Sequence, residues 1–298
     1  MVIMINMKNK ISLGEILSNL FIYSILIVVV LVCLLPFVYI LSVSLSTDKA
    51  LSYYGGTLIP KEFSLNAYIF LFNYGSRIFN AYKSTLIITL GGTFIGLLVT
   101  SGMAYPLSRK DLPFRSSIMK YVFFSMLFGG GLIPFYIVVN SIGLSNSYLA
   151  LILPGCYTSW NMILMRNFFM SLPQALEESA YIDGANEIQI LFKIILPLSM
   201  PIMATIGLFL AIGFWNTWFG ALLFLSDPEK WPLMLFLKEV LQSSRSADKL
   251  AGMTRAEYPP SESLRMAVVL ICTVPILLVY PFVQKYFVKG VMIGSIKG

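Results

Sequence analysis

The stretch IYSILIVVVLVCLLPFVYILSV, residues 22–43, contains no charged side chain and sits inside an uncharged interval of 32 residues between Glu15 and Asp48. A helix needs about 20 residues to cross the hydrocarbon core of a bilayer, so this interval reads as a membrane span. Its apolar run exceeds the roughly 7–15 residues of a signal-peptide core, and no small-x-small cleavage site follows it. It is therefore expected to be retained. Four further charge-free intervals follow: 84–108 (25 residues), 121–165 (45), 194–226 (33) and 266–284 (19). The 45-residue interval has room for two spans and is broken by the turn-forming NSIGLSNS at 140–147. The expectation is an all-α polytopic membrane protein with six helices near 17–41, 84–106, 119–139, 148–168, 198–220 and 265–287.

Composition supports this class and narrows the chemistry. Of the 298 residues, 57% are apolar and 12% charged, and the mean hydropathy is +0.81. Soluble domains carry roughly 25% charged residues, and half of that cannot cover a globule of this size. There is no histidine, which excludes His-based triads and the zincins. Cys33, Cys156 and Cys272 stand more than 100 residues apart inside apolar runs, which suits neither a metal site nor a disulfide scaffold. The net charge of +7 bears on topology and lipid headgroups, not on nucleic acid.

Orientation rests on local charge. With both termini inside, total Lys and Arg divide eleven to ten, which decides nothing. The short loop 108–120, however, holds Arg109, Lys110, Arg115 and Lys120, while the turn at 140–147 holds no basic residue. Because the rule weights short loops near helix ends, both termini are expected to be cytoplasmic. Residues 1–16 form a cytoplasmic segment, 17–288 the transmembrane domain and 289–298 a cytoplasmic tail. Two longer outer segments remain, 44–83 and 226–264. The first is rich in Tyr, Gly and Pro and reads as short interfacial helices and loops. The second contains WPLMLFLKEVL, a short amphipathic helix after Pro232, and leads to a final span capped by Ser261 with Glu262 in its first turn.

The inner loop SLPQALEESAYIDGANEIQILFKIILPL, residues 171–198, is too long to be only a linker, for which a handful of residues suffices. Ser171 can cap, with Gln174 at the reciprocal position and Pro173 in the first turn. Leu172, Ala175, Leu176, Ala180 and Tyr181 supply an apolar side, with Glu177, Glu178 and Asp183 opposite. Gly184 marks a turn, and a second helix runs from about Asn186 to the Pro197 kink. Such a helical hairpin is a docking surface in form; the simpler reading is an interfacial hairpin joining two spans.

This loop resembles the signature of membrane subunits of ATP-binding-cassette importers: Glu-Ala-Ala, three residues, Gly, nine residues, then Ile-x-Leu-Pro. Here it is Glu178-Ser179-Ala180, Gly184, then Ile194, Leu196 and Pro197, departing only by Ser179. LEESAYIDGA, FFMSLP, the Trp215-Asn216-Trp218 pattern and the ending KYFVKGVMIGSIKG are similar to the carbohydrate-uptake, maltose-type branch. The resemblance implies a bacterial cell-membrane permease subunit that pairs with a second homologous permease in preference to a copy of itself. It further implies two cytosolic ATPases that bind ATP and Mg, an extracytoplasmic solute-binding protein, and a sugar or oligosaccharide substrate. Loop 171–197 would be the coupling helix, with Glu178, Ser179, Ala180, Asp183 and Gly184 at the ATPase and Glu178 as anchoring acid. Gly290, Gly294 and Gly298 of the tail would permit close approach to it. The chain has no G-x-x-x-x-G-K-[ST] phosphate loop, and no catalytic or cofactor-binding residue is expected in it.

A sugar path needs aromatic walls and polar groups. Span 5 offers Trp215, Asn216, Trp218 and Phe219, with Asn216 and Phe219 three residues apart on one helical side. Span 4 offers Tyr157, Trp160 and Asn161. The alternatives are interface-belt aromatics and asparagines that join helices. No lone Arg or Lys lies deep in a span, which favours a sugar over an anion. Gly91, Gly92, Gly96 and Gly102, and Gly129 to Gly131, read as small-residue surfaces for close helix approach, with a break at Pro134. The rival classes are an importer of a non-sugar solute and an integral membrane enzyme or scaffold.

Overall fold

Broken helices set the architecture. The computed structural model describes residues 13–73, 75–243 and 262–295. Its helices are α1 (Leu13–Ser44), α2 (Asp48–Tyr54), α3 (Asn66–Asn73), α4 (Gly75–Ser108), α5 (Arg115–Leu127), α6 (Leu132–Ser141), α7 (Leu149–Gly155) and α8 (Ser159–Phe169). There follow α9 (Ala175–Ile182), α10 (Glu187–Ile190), a π-turn (Leu191–Ile195), α11 (Leu196–Leu198), α12 (Met200–Trp215), α13 (Phe219–Phe224), α14 (Leu233–Ser243) and α15 (Glu262–Ser295).

Six straight spans are not what the described residues form. Three helices are unbroken and apolar enough to cross a bilayer: Leu17–Ser44, Arg77–Ser108 and Glu262–Val279. Two more candidates are bent pairs, α5 with α6 at 113° and Glu187–Leu198 with α12 at 86°. The reasons lie in the backbone. The triple glycine is the α5–α6 break itself, with Gly131 at φ +82, and a Cβ on any of the three would meet nothing within 4 Å. These glycines therefore mark the bend in the chain, and within this chain they are not the packing surface expected of them. The expected helix 148–168 is interrupted at 156–158, after Pro154 in α7 and where the Thr158 hydroxyl caps α8 by accepting from the Asn161 amide. Helix 198–220 breaks at Asn216–Trp218, and α4 begins nine residues before the expected 84.

The chain divides into two compact units, one holding the described residues up to Phe70 together with Glu262 to Leu270, the other holding the rest. In the first, α1 exposes its apolar side chains around the whole helix, as a span facing lipid or a partner does. The segment after it folds back through Ser44 Oγ–Tyr68 OH (2.8 Å), Thr47 Oγ1 donating to Glu62 Oε2 (2.7 Å), and Ser263 Oγ donating to Asp48 Oδ1 (2.9 Å). Short helices α2 and α3 in 44–83, and α14 directly after Pro232, are as the sequence suggests. Residues 1–12, the Ser261 cap and residues 296–298 of the tail lie outside the described residues; Gly290 and Gly294 fall within α15.

In the second unit α4 is the central member. Helix α12 runs antiparallel along it, which three glycine contacts fix. A Cβ on Gly92 would lie 2.6 Å from the Phe214 ring, one on Gly96 2.8 Å from Leu210, and one on Gly207 3.4 Å from Leu97. Gly155 of α7 receives the same Phe214 ring at 2.7 Å. Close approach through small residues is how helices associate where lipid removes the hydrophobic drive between them. Gly91 and Gly102 do not share this role, since a Cβ there meets only Ile152 at 3.7 Å or nothing. Ile88, Met162, Met165, Ile190, Ile195 and Ile206 fill the core around this crossing. Leu233, the first residue of α14, is fully buried and its amide donates to Thr85 Oγ1 of α4 at 2.8 Å.

Candidate functional sites: a clamped hairpin and an aromatic helix break

The inner hairpin is built by caps, though not all the expected ones. Ser171 Oγ donates to the Phe168 carbonyl (2.6 Å) and so closes α8; α9 starts after Gln174 without a side-chain cap. Glu177 and Glu178 occupy the first turn of α9, where acids complement the helix dipole. The helix ends in a Schellman pattern. Ala185 N–H donates to the Ala180 carbonyl and Gly184 N–H to that of Tyr181, both at 3.0 Å, with Gly184 at φ +80. A Cβ on Gly184 would meet nothing within 4 Å, so within this chain its requirement is conformational and not one of space. Asn186 and Gln189 then form a reciprocal capping box, at 2.9 and 3.0 Å.

Pro197 explains the π-turn. It has no N–H for the Lys193 carbonyl, and the preceding amide, Leu196 N–H, reaches back five residues to Leu191. Ser199 between Pro197 and Pro201 is the pivot of the 86° bend into α12.

Of the five residues assigned to the hairpin site, Glu178, Ser179, Asp183 and Gly184 are exposed, and Ala180 is buried in the core. The Ser-for-Ala departure at 179 therefore falls on the open face. Ile182 and Ile188 are 87% and 70% exposed, so the hairpin presents apolar side chains beside the free carboxylate of Glu178.

The sequence reading missed what holds the hairpin. Arg109, just past the end of α4, contacts Glu177 through Nη1, and the same nitrogen donates to Tyr181 OH (3.0 Å) and Tyr105 OH (3.3 Å). Glu187 accepts from Tyr105 OH through Oε2 (2.9 Å) and from Tyr181 OH through Oε1. The Arg109 guanidinium carbon lies 5.4 Å from the Tyr181 ring centre. Both arms of the hairpin are thus tied to one cation on α4. Burial pushes the Glu177 carboxyl up while Arg109 pulls it down; burial likewise opposes the charge on Arg109, and Tyr181 and Glu177 outweigh it. Nearby, the Leu107 carbonyl, without an intrahelical partner at the end of α4, accepts from Arg115 Nε (2.9 Å) and Arg166 Nε (2.8 Å).

The second site is the α12–α13 break. Asn216 caps α12, with its backbone N–H and Nδ2 both donating to the Ile212 carbonyl (3.1 and 2.8 Å). It is exposed in the chain, and it does not share a continuous helical side with Phe219, because the helix stops between them. Trp218 and Phe219 are exposed and meet edge to face at 5.5 Å, while Trp215 is half-buried. Lys238 of α14 places Nζ over the Trp218 ring, 3.4 Å from its centre. Trp160 is exposed on α8, Asn161 is buried, and Tyr157 OH lies 3.4 Å from Ser159 Oγ. Among the described residues no hydrogen bond or ring contact joins these three to the Trp215–Phe219 group. A cleft of about 610 Å³ lined by Thr47, Asp48, Glu62 and Ser263 includes none of these aromatic residues.

A polytopic helical chain whose exposed hairpin carries this spacing defines a class, and the chain belongs to it: the family of binding-protein-dependent transport system inner membrane components matches residues 92–293. The polygalacturonan/rhamnogalacturonan transport system permease protein YtcP of Bacillus subtilis is 43% identical over 293 residues, 98% of this chain and all of that one. The trehalose/maltose transport system permease protein MalG of Thermococcus litoralis is 28% identical over 291 residues, covering 95% and 99%. Among solved structures, a chain of a bacterial ABC transporter involved in the import of the acidic polysaccharide alginate superposes with a TM-score of 0.83. It is 31% identical and the match covers 93% of this chain and 98% of that one.

Proposed function

We propose that this chain is the permease subunit of an ATP-driven, binding-protein-dependent importer of oligosaccharides, and that its substrates are acidic ones built from uronate sugars. The observation that carries the reading is full-length similarity, at 43% identity, to a permease named for polygalacturonan and rhamnogalacturonan transport. The likeness to a chain of an alginate importer supports the same substrate chemistry. Like its family, the chain is a non-catalytic carbohydrate permease; hydrolysis of ATP with Mg belongs to two partner ATPases. A second homologous permease completes the path, and an extracytoplasmic binding protein delivers the solute.

In this reading six crossings are made by α1, α4, the bent α5–α6, the broken α7–α8, the broken α12–α13 and α15, with both termini cytoplasmic. The hairpin 171–197 then faces the cytoplasm and docks on the ATPase through Glu178, Asp183 and the exposed Ile182. What supports this is the exposure of those groups together with the basic residues at the same end of α4. Trp215, Asn216, Trp218 and Phe219 face the path, and Tyr157, Trp160 and Asn161 are assigned to it from the preceding crossing.

The test is uptake of labelled trigalacturonate into vesicles carrying the complete complex with binding protein. Accumulation that requires ATP is the expected result. ATP-dependent accumulation of maltotriose but not trigalacturonate would remove the acidic class, and accumulation of neither would remove the oligosaccharide reading.

A further inference from the structure

We infer that Lys238, held on the face of Trp218, is the binding residue for a sugar carboxylate, and that Trp218, Asn216 and Phe219 complete a uronate subsite around it. This rests on the importer reading above and adds the group that recognises the acid. The sequence places Lys238 outside the spans, in the segment after Pro232. The fold brings it back to the α12–α13 break by pinning the first turn of α14 to α4, through the bond between Leu233 N–H and Thr85 Oγ1.

Three features point to a ligand. First, the Lys238 ammonium lies 3.4 Å from the centre of the Trp218 ring, a geometry that fixes a flexible side chain in one place. Second, it is half-buried, yet no carboxylate of the described residues lies within 4 Å; the ion pairs among them all belong to Arg109. An ammonium has three donors and no acceptor, so the ring occupies one side and leaves N–H groups for an incoming anion. Third, the neighbouring groups suit a pyranose. Asn216 Nδ2 is committed to the Ile212 carbonyl, which can only accept, and so the amide oxygen is the atom left to receive a sugar hydroxyl. Trp218 and Phe219 keep 38% and 45% of their surfaces exposed, which leaves ring area for the C–H face of a sugar. A cation, an acceptor and ring surface within five consecutive residues and one lysine match a sugar acid better than a neutral sugar, for which the cation has no use.

The experiment uses the complete complex in vesicles, with trigalacturonate as the probe and maltotriose as the neutral comparison. Lys238→Met keeps the aliphatic stem on Trp218 and removes the charge; Lys238→Arg keeps the charge. The Met variant is expected to raise KM for trigalacturonate about tenfold or more, the loss due to one charge-assisted hydrogen bond, with complex yield unchanged. The Arg variant is expected to stay within about threefold of wild type, since the charge remains and only its geometry differs. Added salt should raise the wild-type KM, because it screens the pair, and should leave that of the Met variant flat. Wild-type kinetics in the Met variant, equal losses in Met and Arg, or a matching loss of complex yield would each overturn the assignment, the last by making Lys238 a packing residue. Wild-type uptake of maltotriose alone would refute the subsite and the acidic class while leaving the oligosaccharide-importer reading intact. Wild-type uptake of trigalacturonate with unaltered kinetics in Lys238→Met would refute the subsite alone; uptake of neither sugar would refute both readings.

Discussion

Replacing Arg109 by glutamine is expected to loosen the inner hairpin without unfolding the chain. Arg109 and Glu177 are 19% and 13% exposed at the side chain, so the variant leaves a largely buried carboxylate without its cation. Losing one partner of a buried pair costs about 3–5 kcal/mol, and partial contact with solvent reduces this to about 2 kcal/mol here. That corresponds to about a 30-fold rise in the fraction of released hairpin. Glu187 keeps its bond from Tyr105 of α4, which holds the second arm, while the first arm is left with only the Tyr181–Glu187 bond and opens more readily. Hydrogen exchange of the purified complex should speed up at the amides of 175–185 more than at those of 187–195. Solute transported per ATP hydrolysed should fall, with ATPase subunits still bound. Because much of the cost is the orphaned carboxylate, adding Glu177→Gln to Arg109→Gln should recover part of the loss, and a double-mutant cycle should be strongly non-additive. Unchanged exchange at 175–185, or additive effects of the two substitutions, would refute the clamp.

Other expectations concern the docking face, the crossing and the break. Glu178→Lys alters an exposed residue, so insertion and yield should hold while ATPase subunits are lost on affinity purification; retained ATPase with normal uptake would exclude Glu178 as the anchor. Gly184→Ala forces a Cβ into the left-handed region at a cost of about 1–2 kcal/mol, to be read as a lower ATPase occupancy in the same assay, smaller than that of Glu178→Lys. Gly92→Leu drives a side chain into the Phe214 ring and should lower the thermal midpoint of the solubilised complex, by the 1–3 kcal/mol typical of overpacking; an unchanged midpoint would contradict the α4–α12 register. Asn216→Leu should impair uptake at normal complex yield, whereas loss of yield in step with uptake would make Asn216 a helix-joining residue.

Spacing in the sequence conveyed those parts of the fold that depend on neighbours along the chain. The hairpin was legible because turns are local: Gly184 after α9 and the start of the second helix at Asn186 stand where a reader of residues places them, while the Asn186–Gln189 capping box went unread. The helix breaks were less so. Pro154, the triple glycine and Trp215-Asn216-Thr217 all sit inside charge-free runs, and an absence of charge marks membrane depth without saying whether the backbone is continuous. The two side-chain groupings added by the structure were hidden by distance. Arg109 meets Glu177 and Glu187 from 68 and 78 positions away, and in the sequence it stood out only as one of four basic residues in a loop. Lys238 meets Trp218 across a turn and a chain reversal, within a segment whose amphipathic pattern explained it already. Serine 171 misled for a different reason: two helix ends compete for its hydroxyl, and the one before it wins.

Helix α4 is also a mechanical part. Between Thr85, which holds α14, and Arg109, which holds the hairpin, run 24 residues, a rod of about 36 Å at 1.5 Å per residue. A rod of that length magnifies small angles: a tilt of about 5° pivoting at the Arg109 end carries Thr85 through about 3 Å, the length of a hydrogen bond. The Lys238–Trp218 pair lies one helix away from that moving end. In the proposed reading, a tilt started at the hairpin end is therefore enlarged before it reaches the α12–α13 break, and the stiffness of a single helix sets how much of it arrives.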